Sequence, residues 1–143
     1  MKVSECMSRN VRMVGPKDSI QDAAVAMAEI DAGILPVASD ERLVGIITDR
    51  DIAIRAVGNG LAAETPIDEV MTHEVRYCFA DDDIQQVLDN MADVQVRRLP
   101  VLDSDKRLQG IVSLSDMALM EKRDAGQALS DIARPSALHS QVV

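Results

Sequence analysis

The 143-residue sequence has no tryptophan, one tyrosine and one phenylalanine. Any interior must therefore be filled by Val, Ile, Leu, Ala and the eight methionines, an adaptable packing material rather than a rigid one. Cysteine is scarce as well: Cys6 and Cys78 stand far apart and form no CxxC pair. That spacing excludes a disulfide framework or a metal knuckle, and both read as buried reduced thiols. The two histidines, His73 and His139, make no cluster for metal binding or acid–base chemistry, and both read as solvated. No run approaches the roughly 18 apolar residues of a membrane span, and the first residues lack the apolar stretch of a signal peptide. A soluble cytoplasmic protein with no membrane partner is expected. Basic charge is also in deficit, with 15 Lys and Arg against 24 Asp and Glu, a net charge of −9. Nucleic acid is excluded as a partner, because phosphate-backbone binding requires a basic surface.

What the chain does have is an internal duplication. Met7, Val11, Arg12, Asp18, Ile20, Gln21, Met27, Ala28, Leu35, Pro36 and Val37 recur 64 positions later, ending at Met91, Ala92, Leu99, Pro100 and Val101. One extra residue in the second turn pairs Gly45, Ile46 and Asp51 with Gly110, Ile111 and Asp116. Each copy is too short to bury a substantial core, whereas two copies reach the usual size of one domain. The division is 1–57 for repeat 1, 58–66 for a Gly- and Pro-containing linker, 67–120 for repeat 2, and 121–143 for a C-terminal helix and tail.

Each repeat reads as strand, helix, strand, strand, helix. Val11 to Val14 forms a short strand closed by Gly15-Pro16. Asp18 with Gln21, and Asp82 with Gln85, predict helix caps related to the capping box. Ile20, Ala23, Ala24 and Met27 share one helical face, as do Ile84, Val87, Leu88 and Met91. Residues 34–38 and 43–48 predict strands joined by a turn at Ser39 to Arg42, and Asp51 to Val57 opens a further helix. The fold class is mixed α/β of the α+β type: two pseudosymmetric β-α-β-β-α repeats.

The constellation with most chemical content is Gly45-Ile46-Ile47-Thr48-Asp49-Arg50-Asp51, matched by Gly110-Ile111-Val112-Ser113-Leu114-Ser115-Asp116. Each joins a strand end to a helix start through a hydroxyl residue followed three positions later by Asp. Free N–H groups at a helix start suit a phosphate, and an ionised Asp offers acceptors for both hydroxyls of a ribose cis-diol. Thr, Ser and Asp are equally favoured as plain N-caps. Recurrence in both copies, each behind a strand glycine that permits close backbone approach, favours the ligand-binding reading. Asp81-Asp82-Asp83 reads as a cap that complements the helix dipole rather than a metal site. Asp49 and Asp51 imitate a catalytic carboxylate pair, but no nucleophile and base accompany them, and Leu114 replaces Asp49 in the other copy. No catalytic and no metal-ligating residue is assigned.

The duplicated pattern LPV followed by G-I-x-T/S-x-x-D resembles a tandem pair of cystathionine β-synthase (CBS) domains over residues 3 to about 120. VRRLPV and GIVSLSD are similar to stretches of the regulatory gamma subunit of AMP-activated protein kinase, and the layout resembles small standalone bacterial two-CBS proteins. The resemblance implies a disc-like module with two pseudosymmetric clefts, commonly dimerised through helices, that bind AMP, ADP, ATP or S-adenosylmethionine. Carried over by position, one cleft combines Thr48, Arg50 and Asp51 with Thr72, Arg76, Arg97 and Arg98. The other combines Ser113, Ser115 and Asp116 with Ser8, Arg12, Gly33 and Ile34. The clefts are chemically uneven, since the basic pair before LPV in repeat 2 is matched by Gly33-Ile34 in repeat 1. The gamma subunit's His-Arg is Arg-Arg here, and arginine's planar fork suits phosphate oxygens.

The expected protein is thus a noncatalytic sensor of an adenosine-type ligand. It requires no cofactor, forms a homodimer and signals to a regulated protein that the sequence does not name. The rival expectation is a dimerisation or scaffold module with vestigial clefts.

Overall fold

In the computed structural model, which describes residues 1–94, 96–120 and 129–133, the first long helix starts one residue later than the Asp18 cap predicts. Ser19 is the cap: its Oγ accepts from the Asp22 amide at 3.0 Å, and Asp22 Oδ2 accepts from the Ser19 amide at 3.2 Å. Asp18 is occupied elsewhere, closing the preceding turn by accepting from the Gly15 amide at 2.8 Å. The second repeat makes the same substitution of roles. Asp82 accepts from the Phe79 amide at 2.8 Å, while Asp83 Oδ1 accepts from the Gln85 amide at 2.8 Å.

Helix α1, Ile20–Ile30, buries Ile20, Ala23, Ala26 and Met27. Ala26 thus takes the place expected for Ala24, which is exposed; alanine carries too little apolar signal to fix which side of the stripe is covered. Strands β1 (Ile34–Ser39) and β2 (Arg42–Thr48) pair antiparallel, with Ile34 opposite Thr48 and Ser39 opposite Arg42. Their two-residue turn holds Asp40 at φ 52° and Glu41 at φ 67°, the positive pair that a tight hairpin turn of matching twist demands. The register shifts between Val37 and Ala38, so the hairpin carries a bulge next to Gly45. Helix α2, Asp49–Asp51, continues through a widened π-type turn over Ile52–Ala56 and a tight turn over Val57–Asn59, ending at Gly60 with φ 72°.

In the second repeat, β3 (Cys78–Phe79) runs parallel to β4 (Arg98–Leu102), and β4 lies between β3 and β5 (Leu108–Ser113). Helix α3 is Ile84–Val94 and α4 is Leu114–Ala118. The strand expected at Val11 to Val14 reduces to one bridge, in which the Val14 amide donates to the Pro36 carbonyl and the Ala38 amide to the Val14 carbonyl. Residues 129–132 are helical; the remainder of the expected C-terminal helix and tail, with His139, lies outside the described residues.

The chain forms two compact units, and neither coincides with one sequence repeat. The Asp51 unit comprises Asn10–Arg76 and Ser104–Leu108. Its core joins Ile20, Ala23, Met27, Leu35, Val37 and Ile47 to Ile67, Val70 and Met71 from the start of the second repeat. The Asp116 unit comprises Met1–Arg9, Tyr77–Asp103 and Gln109–Val143. There Val3, from the start of the chain, is fully buried among Ile84, Leu88, Met91, Val101, Val112 and Met117.

Candidate functional site: two acidic strand-to-helix corners

In the Asp51 unit, β2 ends at Thr48 and the chain turns into α2. Thr48 Oγ1 accepts from the Asp51 amide at 3.0 Å, and Asp51 Oδ2 accepts from the Thr48 amide at 3.0 Å. This reciprocal cap fixes the carboxylate at the corner, where the Asp51 side chain is mostly buried, 12% exposed. Thr72 is brought alongside by two backbone bonds, Ile46 amide to Thr72 carbonyl at 3.0 Å and Thr72 amide to Ile46 carbonyl at 2.8 Å. The close approach expected at the strand glycine is therefore made by the protein's own backbone. A Cβ on Gly45 would stand 2.6 Å from Met71 Sδ and 2.9 Å from the Thr72 carbonyl oxygen.

The Asp116 unit repeats this corner. Ser113 Oγ accepts from the Asp116 amide and Asp116 Oδ2 accepts from the Ser113 amide, both at 3.0 Å. Ser8 pairs with Ile111 through Ser8 amide to Ile111 carbonyl at 2.8 Å and the return bond at 3.0 Å. A Cβ on Gly110 would collide with the Ser8 carbonyl oxygen. Ser115 Oγ lies 3.0 Å from Ser113 Oγ. Burial, and after it the negative charge of Asp116, holds the Cys6 thiol above its ordinary value of 9.0.

The other sequence-predicted residues fall as follows. Gly33 and Ile34 belong to the Asp51 unit, where the Gly33 carbonyl accepts from the Asp49 amide at 2.9 Å. A Cβ on Gly33 would meet Asp49 Oδ2 at 2.6 Å, so glycine there makes room for the Asp49 side chain. In the Asp116 unit the matching bond runs from the Leu114 amide to the Arg97 carbonyl at 2.8 Å. Leu114 is buried and Arg97 and Arg98 are exposed, so the second repeat exchanges Gly and Asp for Arg and Leu at one contact. Arg50 and Arg76 are exposed members of the Asp51 unit. Arg12, in the same unit, spans to Glu29 at 2.9 Å with both side chains about half exposed.

Sequence reasoning missed Arg55. Its Nε lies 3.8 Å from Asp51 Oδ1, and one terminal nitrogen donates to the carbonyls of Val70 at 3.2 Å and Met71 at 3.4 Å. The available signal was its position four residues after Asp51 at the start of a helix. Among the described residues no group of three or more His, Cys, Asp or Glu could hold a metal ion, and no helix is long and apolar enough to cross a membrane.

The CBS domain family matches residues 3–58 and again 67–120. The chain is 38% identical over 133 residues to the CBS domain-containing protein YhcV of Bacillus subtilis, covering 92% of this chain and 94% of that one. It is 37% identical over 139 residues to Hypoxic response protein 1 of Mycobacterium tuberculosis, covering 95% and 96%. A crystal structure of Hypoxic Response Protein I with two coordinated zinc ions superposes with a TM-score of 0.76, covering 84% of this chain and 98% of that one. The CBS domain pair of protein MJ0100, solved in complex with 5′-methylthioadenosine and S-adenosyl-L-methionine, superposes with a TM-score of 0.73 at 27% identity, covering 86% and 97%.

Proposed function

Since the chain belongs to the CBS-domain family as a tandem pair, we propose that it is a noncatalytic regulatory protein that senses an adenosine-containing ligand through its two acidic corners. The observation that carries this reading is the repetition, in both units, of a reciprocally capped hydroxyl and Asp at the end of a strand that pairs, two residues earlier, with the backbone of a second hydroxyl residue, Thr72 or Ser8. Capping occupies one carboxylate oxygen with a single N–H, and a carboxylate has about four acceptor positions. The remaining capacity suits a ribose cis-diol. MJ0100, whose CBS pair holds two adenosine compounds, supports the ligand class.

A phosphorylated ligand calls for guanidinium groups, and Arg97 and Arg98 are the candidates for that role. Signalling follows if ligand favours one geometry of the pair or of a homodimer over another, since only differential affinity shifts such an equilibrium. Exposed Val25, Ile54 and Val57 on the helices of the Asp51 unit are the surface proposed for self-association. The rival scaffold reading predicts dimerisation without ligand response.

Titration calorimetry with AMP, 5′-methylthioadenosine and S-adenosylmethionine tests the reading. Asp51→Asn and Asp116→Asn should each weaken one saturable event about tenfold, leaving it measurable, and Arg98→Ala should weaken AMP more than 5′-methylthioadenosine, which lacks a phosphate. A ligand at 100 times its dissociation constant should add about 2.7 kcal/mol of stability. Absence of binding by all three compounds, with dimerisation intact, would favour the scaffold.

A further inference from the structure

Among the places where the duplication is broken, one bears on the Asp51 carboxylate itself. Arg55 follows Asp51 by four positions; the residue four after Asp116 is Met120. In the Asp51 unit the guanidinium stands between Asp51 and the carbonyls of Val70 and Met71, the two residues that immediately precede Thr72. It lies in the widened turn Ile52–Ala56, a feature that is often found at functional sites. Met120 has no donor with which to do the same, and among the described residues no cation pairs with Asp116.

We propose that Arg55 is a positioning residue: it ties Asp51 to the segment that carries Thr72, an ordering added to the cap that both corners share, and for which Met120, at the matching position of the second repeat, has no side-chain donor. The ligand-facing role of these residues rests on the function proposed above; the clamp does not. Arginine is required because one planar group must reach a carboxylate through Nε and two carbonyls through a terminal nitrogen. A lysine ammonium is a single point of charge without that fork. The Arg55 side chain is about half exposed, so its removal should leave the core intact and act through geometry.

The test has a ligand-free arm and a ligand arm, both on the full chain. Without ligand, Arg55→Met should shift the NMR resonance of the Thr48 amide, which reports the Asp51 carboxylate, and speed exchange of the Thr72 and Ile46 amides about fivefold or more. The matching Ser113, Ser8 and Ile111 amides should not respond. Arg55→Lys should restore the Thr48 resonance but not the slow exchange at Thr72. Unchanged Thr48 and Thr72 amides in Arg55→Met would overturn the proposal. In the ligand arm, AMP should bind Arg55→Met about three- to fivefold more weakly in the event sensitive to Asp51, the scale of a partly exposed ion pair. The same change in an Asp51→Asn background should have almost no further effect. An equal loss in both backgrounds would mean that Arg55 acts independently of Asp51, and an AMP affinity unchanged by Arg55→Met would also sink the idea. If no adenosine compound binds the wild type while the ligand-free response is seen, the clamp stands and the adenosine reading falls.

Discussion

Cutting the chain at its sequence repeats and cutting it at its structural units should give opposite results. A fragment of residues 1–62 contains the whole first repeat but lacks Ile67, Val70 and Met71, which are 0%, 1% and 5% exposed in the Asp51 unit. Burial of each such side chain is worth about 1.5–3 kcal/mol, so their loss removes on the order of 5–9 kcal/mol. A unit of this size has a total stability of only about 3–10 kcal/mol. The cut also removes the bonds from the Ile67 amide to Asp18, from the Asp68 amide to Pro16, and the pair between Ile46 and Thr72. A fragment of residues 10–76 keeps all of these and discards Met1–Arg9, which belongs to the other unit. Urea titration followed by far-ultraviolet circular dichroism should give a cooperative transition for 10–76 and a shallow, non-cooperative one for 1–62. Equal midpoints and slopes for the two fragments would refute the argument that segment 66–76 completes the first core.

Other expectations follow from the corners and the core. Gly45→Ala should destabilise by about 1–3 kcal/mol in a thermal melt, because its Cβ meets Thr72 backbone and a buried methionine, whereas Gly33→Ala meets only the end of the exposed Asp49 side chain and should cost less. Burial, followed by the charge of Asp82 and then Cys6, pushes the Cys78 thiol up to about 12 from 9.0. The folded protein therefore keeps a proton that the unfolded chain gives up above pH 9, so stability should fall between pH 9 and 12, and Cys78→Ala should flatten that slope in urea titrations. Asp51→Ala should lose about 0.5–2 kcal/mol of cap stability together with ligand binding. Asp51→Asn, which can still accept from the Thr48 amide, should bind ligand about tenfold more weakly while melting close to wild type.

Local features were legible because their causes are local. The period of Ile84, Val87, Leu88 and Met91 marks the face that α3 buries, and the hydroxyl-x-x-Asp spacing produces the reciprocal caps at both corners. The caps of α1 and α3 were displaced by one residue because two adjacent polar residues competed, and the turn took the first of each pair. Membership of the compact units was not legible. Similarity between Met7 and Met71 says that they occupy equivalent places, not that each packs in the unit built mainly by the other repeat. The Arg55 clamp was hidden for a related reason, since its acceptors at Val70 and Met71 are backbone carbonyls that every residue carries.

Capping and ligand binding are often treated as competing explanations for a Thr or Ser followed three residues later by Asp. On the function proposed above, in these corners they would use different parts of the same carboxylate. The cap takes one oxygen through a single amide, at Thr48 and again at Ser113, and in doing so holds the rest of the group at a defined orientation. A side chain ordered before ligand arrives has less conformational freedom to lose when it binds, which improves affinity without any added contact. Arg55 extends this ordering to the other side of Asp51, and among the described residues no cation does the same for Asp116, where Met120 holds the matching position. Two copies that share a fold and a carboxylate can therefore differ in how much of the ordering is done in advance. If the corners bind the ligand proposed above, that difference should separate a first binding event from a second.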